Sequence, residues 1–119
     1  VVTKVNPNYF YAYEKFNDAL YSLATGPYDV RQRLRTAYWH FRPVNKKHLP
    51  EPLHEDYQWV LNQLTRFEPV IGRDGKVLRG AVDETLNRIR NTTGSKIAER
   101  ILHIYHQLNW LYMEGKEKP

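Results

Sequence analysis

The chain has no cysteine and a single methionine among its 119 residues. Without thiols there is no disulfide framework, no thiolate metal site and no cysteine nucleophile. Long apolar runs are missing too. No stretch approaches the roughly 18 apolar residues of a membrane span, and the N-terminal VVTKVNPNYF has neither the basic region nor the apolar core of a signal peptide. A soluble, cytoplasmic protein is the expectation. The phosphate-cradling G-x-x-x-x-G-K-[ST] and G-x-G-x-x-G loops, the G-x-S-x-G nucleophile turn and the H-E-x-x-H zinc motif are also absent. His103 and His106 are spaced for chelation on one helix, but they lack companion ligands in a known pattern, so neither a metal nor a cofactor is expected.

What the chain does have is a folding composition, 41% hydrophobic and 26% charged, with nine tyrosines and three tryptophans. Its length suits one core. Residues 1–119 are therefore expected to form a single helical domain, with 1–7 and 114–119 flexible.

Each residue of a helix turns about 100°, and five segments follow that period. Asn6-Pro7 is a helix-entry signal, after which Tyr9, Ala12, Tyr13, Phe16, Ala19, Leu20, Leu23 and Ala24 share a face until Thr25-Gly26-Pro27. In the second segment, capped by Asp29 or, if it starts earlier, by Thr25, the apolar stripe is Val30, Leu34, Ala37, Tyr38 and Phe41, and Arg42-Pro43 ends it. Pro50-Glu51-Pro52 opens a third, with Leu53, Tyr57, Val60, Leu61, Leu64 and Phe67 inward. VIGRDGKVLRG then changes texture, and its Asp74-Gly75 predicts a hairpin with a type I′ turn, a mobile loop being the alternative. A short helix carries Val82, Leu86 and Ile89. Asn91 to Gly94 is read as its break and Ser95 as the cap of the last helix, whose stripe is Ile97, Ile101, Ile104, Tyr105, Leu108, Leu111 and Tyr112. The fold class is all-α, a single-domain bundle of about five helices with a small β-hairpin-like insertion near residues 70–79.

The net charge of +5 is concentrated. Arg31, Arg33, Arg35, Arg42, Lys46 and Lys47 face only Asp29 between Gly26 and Lys47, and the rest of the chain balances 12 basic with 12 acidic residues. Arg31, Arg35, Trp39, Arg42, Lys46 and Lys47 are the candidate nucleic-acid or anion-binding residues, cations for phosphate and an indole for stacking. An internal explanation competes with this one. The acidic third helix, with Glu51, Glu55 and Asp56, could neutralise the same arginines.

On the last helix Leu102, His103, His106, Trp110 and Met113 lie opposite the core stripe. A helix apolar on two sides is either central in a bundle or part of an interface. Central burial is the first expectation, and a homodimer through Leu102, His106, Trp110 and Met113 the alternative.

Arg35 and His40 have four intervening residues, Arg100 and His106 five. This is similar to the R-x4-6-H pattern of the HEPN family of small helical ribonucleases. That resemblance implies an Arg that stabilises phosphate and a His that transfers a proton. Thr36 and Ile101, after the two arginines, depart from the family's pattern. The leading reading is a non-enzymatic helical module that binds nucleic acid or an acidic protein through its basic helix. A self-associating structural or regulatory subunit and a HEPN-like ribonuclease are the alternatives.

Overall fold

The computed structural model describes residues 6–113. It is an all-α bundle with a two-stranded antiparallel insertion: α1 (Pro7–Thr25), α2 (Val30–Phe41), α3 (His54–Leu64), β1 (Val70–Ile71), β2 (Val77–Arg79), α4 (Ala81–Arg88) and α5 (Asn91–Met113). Of the ends expected to be flexible, Asn6 and Pro7 instead form the start of α1. The Asn6 side chain accepts from the Asn8 N–H at 2.8 Å, and Pro7 needs no N–H partner in a first turn. Residues 1–5 and 114–119 lie outside the described residues.

The core is a sandwich of α1, α2 and α5 closed by α3 and α4. Ala12, Phe16 and Ala19 of α1 meet Leu34, Ala37 and Phe41 of α2, while Ile97, Ile101, Ile104 and Leu108 of α5 and Tyr57, Val60 and Leu64 of α3 complete it. The small Ala12, Ala19 and Ala37 let the helices approach closely. At the centre the Phe16 and Phe41 rings stack with centroids 5.1 Å apart, and Tyr57 stands edge-on to both at 5.9 and 6.1 Å.

Tyr57 also ties down the loop after α2. Its hydroxyl donates to the Val44 carbonyl at 2.5 Å, with the Phe41 carbonyl at 3.3 Å. Burial, with a smaller contribution from Tyr38, pushes this phenol far above its ordinary 10.0. The folded state thus holds the proton more tightly than the unfolded chain does. That stabilisation is complete below the unfolded value near 10 and is lost as pH rises above it. Tyr57→Phe is expected to cost about 1–2 kcal/mol at neutral pH through the lost hydrogen bond, yet to decline less steeply than the parent above pH 10 in urea-midpoint measurements. Parallel alkaline declines would contradict this role.

Three local features differ from the sequence reading. Arg42, before Pro43, keeps helical dihedrals (φ −49°, ψ −40°) and donates its N–H to the Tyr38 carbonyl. The helix ends because Pro43 has no N–H to continue the ladder, not because Arg42 leaves the helical region. The hairpin turn is not type I′, since Gly75 (φ +80°) has positive φ and Asp74 does not. Gly75 N–H donates to the Gly72 carbonyl and Gly72 N–H to the Lys76 carbonyl, which is the three-residue turn with a left-handed glycine.

The third difference is the start of α5. Asn91–Gly94 does not break a helix but forms its first turn, with the Gly94 N–H bonded to the Arg90 carbonyl. Gly94 is buried against α2, where an added Cβ would lie 2.9 Å from Val30 Cγ1. A close interhelical approach outweighs the poor helix propensity of Asn-Thr-Thr-Gly.

Candidate functional site

Trp39 and Arg42 come together on the outer flank of α2. Three residues apart near the end of a helix, they point the same way, and the Arg42 guanidinium lies 4.2 Å from the Trp39 ring centroid. Trp39 is 60% exposed. The two side chains border a cleft of about 350 Å³ whose other walls include Arg35, Tyr38, Thr65 and the Gly80–Asp83 start of α4.

The remaining candidate cations separate into two groups. Arg31 and Arg35 are held by the protein itself. Arg31 Nη2 pairs with Asp29 Oδ2 at 3.0 Å, and its Nη1 donates to the Ile89 carbonyl at 3.2 Å, clamping the corner between α4 and α5. Hydrogen bonding from Arg31 holds the Asp29 carboxyl below its usual 3.8. Arg35 Nε pairs with Asp83 Oδ1 at 2.7 Å, with further donation to Gln32 and Asn87. Arg42, Lys46 and Lys47 are exposed and have no carboxylate within pairing distance among the described residues. Lys46 and Lys47 sit in a short 3₁₀ turn capped by Asn45, four and five residues beyond Arg42.

The competing explanation, a match between these arginines and the acidic third helix, is thereby corrected. Arg31 and Arg35 of α2 pair with Asp29 and Asp83, whereas Asp56 of α3 pairs with Arg100 of α5. Which carboxylate reaches which arginine depends on how the helices cross, and that puts α4 beside Arg35.

Central burial of the far side of α5 is overturned as well. His106, Trp110 (41% exposed) and Met113 (55% exposed) face outward, and Leu102 is half-buried. The opposite face of α5 already fills the core against α1 and α3, and no second layer of helices covers this one among the described residues.

Neither Arg–His interval forms a hydrogen-bonded pair among the described residues. Arg35 is engaged with Asp83, and Arg100 Nη1 with Asp56 Oδ1 at 3.1 Å. His103, rather than His106, shares that carboxylate, with Nε2 3.4 Å from Asp56 Oδ2. His48 and His54 serve the loop before α3. His48 Nδ1 accepts the Asn45 N–H at 3.0 Å, and His54 Nε2 lies 2.8 Å from the Lys46 carbonyl. Burial, and then the charge of Lys47, lower the His48 pKa, which keeps that acceptor free of a proton. Among the described residues no three His, Asp or Glu side chains are grouped to hold a metal ion.

Sequence reasoning did not find the cluster of Asp56, Trp59, Arg100 and His103. Its only signal was the three-residue spacing within each pair, and spacing does not say that the two faces meet.

The class that fold and surface define is a small helical domain with an exposed Trp–Arg pair on α2 and, after it, two lysines with no carboxylate in pairing distance among the described residues. Comparison with protein-family models, with curated proteins and with solved structures finds no match. No helix among the described residues is long and apolar enough to cross a membrane.

Proposed function

We propose that the chain is a non-enzymatic binding module whose partner is an anionic macromolecule, single-stranded nucleic acid being the class its chemistry suits. The observation that carries the reading is the exposed Trp39 ring with Arg42 over it, followed within five residues by two more cations that no carboxylate among the described residues pairs with. A single strand needs both elements, an aromatic surface for a base and cations for the phosphates. Arg31 and Arg35 contribute less than their position suggests, because Asp29 and Asp83 already compensate them.

Affinity for a single-stranded oligonucleotide is expected to fall with salt at a log–log slope of roughly −2, as for three phosphate contacts. Trp39→Leu should remove about 1–3 kcal/mol of stacking, and Arg42→Glu combined with Lys46→Glu should flatten the salt slope. Titrations at several salt concentrations measure both. Affinity indifferent to salt and to these substitutions would sink the proposal, and salt-dependent binding of an acidic protein in place of the oligonucleotide would move the partner to that class.

A second reading is supported by the outward side of α5. Self-association through Leu102, His106, Trp110 and Met113 would cover the outward side of α5, where Trp110 and Met113 are 41% and 55% exposed. Sedimentation should then give a dimer that Trp110→Glu converts to a monomer; a monomer at high concentration removes the idea.

A further inference from the structure

A cleft of about 500 Å³ opens between α3 and α5, apart from the Trp39 face, and is lined by Asp56, Trp59, Lys96, Glu99, Arg100 and His103. Its volume lies within the range of small-molecule sites. Lys96, Arg100 and His103 are four and three residues apart, which aligns them on one face of α5 over about 10 Å. Asp56 and Trp59 stand three apart on α3, facing them.

The arrangement is pre-set by one carboxylate. Asp56 Oδ1 receives Arg100 Nη1 at 3.1 Å, and Asp56 Oδ2 lies 3.4 Å from His103 Nε2. The Arg100 guanidinium carbon lies over the Trp59 ring, 4.3 Å from its centroid. A guanidinium carries five N–H donors, and Asp56 takes one among the described residues, which leaves others to receive an anion beside the Trp59 ring. The exposed Lys96 has no carboxylate within pairing distance there. Glu99, exposed at the rim, keeps the cleft from being indiscriminately cationic.

We propose that this cleft binds a nucleotide, with the base against Trp59 and the phosphate on Arg100, Lys96 and His103. The planar fork of an arginine matches phosphate bidentately, and an indole accepts any base face. Asp56 acts as an internal anion that organises the cationic side chains and competes with the phosphate. The source of the nucleotide is either a free mononucleotide or one unit of a single strand. The site is independent of the Trp39 reading.

Calorimetric titration of the full chain with AMP, adenosine and inorganic phosphate tests it. AMP should bind at a single site, with adenosine and phosphate each weaker by about tenfold or more, since each makes half of the contacts. Arg100→Gln and Trp59→Leu should each weaken AMP by about tenfold, whereas Trp39→Leu should leave it unchanged. Asp56→Asn should tighten AMP by about threefold or more, because the competing charge is gone. A merely structural ion pair would not produce that gain.

A single-stranded decanucleotide separates the two sources. Displacement of the strand by AMP identifies a strand unit as an occupant, and strand affinity unaffected by AMP and by Arg100→Gln identifies the free mononucleotide. The proposal is overturned if AMP fails to bind the parent and Asp56→Asn at millimolar concentration. It is equally overturned if Asp56→Asn weakens AMP or leaves it unchanged, or if a folded Arg100→Gln binds it as the parent does.

Discussion

Replacing Phe41 with alanine is expected to cost about 3–5 kcal/mol of stability, the range for emptying a fully buried aromatic site. Phe41 has no exposed surface, and its ring contacts those of Phe16, Tyr57 and Tyr38 with centroids 5.1, 6.1 and 5.6 Å away. The hole would lie where α1, α2 and α3 meet. Collapse into it is restricted, because Ala37 and Ala12 nearby have no side chain to extend and Tyr57 is tethered to the Val44 carbonyl. Domains of this kind have about 5–15 kcal/mol in total, so the variant should retain only a fraction. At roughly 4 °C per kcal/mol for a domain of this size, the melting temperature should drop by about 12–20 °C. Urea unfolding with an unchanged slope would assign the loss to the native core. A cost below about 1.5 kcal/mol would mean that the ring cluster relaxes around the gap.

Gly94→Leu should be destabilising by about 3 kcal/mol for the opposite reason, overpacking. A Cβ at this position would already meet Val30 Cγ1 at 2.9 Å and Leu34 Cδ1 at 3.5 Å. Val30 is β-branched and has no spare rotamer to retreat into within a helix. The longer side chain must therefore push α5 from α2 at the end where Arg31 clamps the Ile89 carbonyl. Gly94→Ala should be much milder, because a gain of about 1 kcal/mol in helix propensity opposes a smaller clash. Thermal denaturation of the pair measures the contrast. If leucine and alanine behaved alike, the interhelical approach at Gly94 would not be tight.

Gly94 also shows where one-dimensional reading stops. Asn-Thr-Thr-Gly carries a turn composition, and propensity alone separates α4 from α5 at Gly94; in the fold the chain turns at Ile89 and Arg90 instead. The propensity cost is local and small, whereas the benefit of seating a residue without a side chain against Val30 comes from α2, more than 60 residues away. Hairpin position was legible for the converse reason. Asp74-Gly75 lies between apolar residues, and a tight turn depends on its own few residues, although the choice between two turn types did not follow from the dipeptide.

The flank of α2 was legible in part. Periodicity places Arg31, Arg35, Trp39 and Arg42 beside the core stripe, and helix geometry brings Trp39 and Arg42 into contact. It gives no means of telling a compensated arginine from a free one, since Asp83 is 48 residues from Arg35. The α3–α5 cluster was invisible for the same reason. Asp56 and Arg100 are 44 residues apart, and neither helix carries a mark of the other.

The sequence by itself determined the helical segments, most of their inward faces, the cap at Asn6 and the position of the hairpin between α3 and α4. These rest on interactions within a few residues and on the period with which apolar side chains recur. Only the tertiary structure decided that Arg31 and Arg35 are spent on Asp29 and Asp83, that Arg42 is left stacked on Trp39, that α5 begins at Asn91 and turns Trp110 outward, and that Trp59 meets Arg100. Each of these depends on which helix faces come together, and burial of nonspecific apolar stripes leaves that choice to shape and close approach across the whole core.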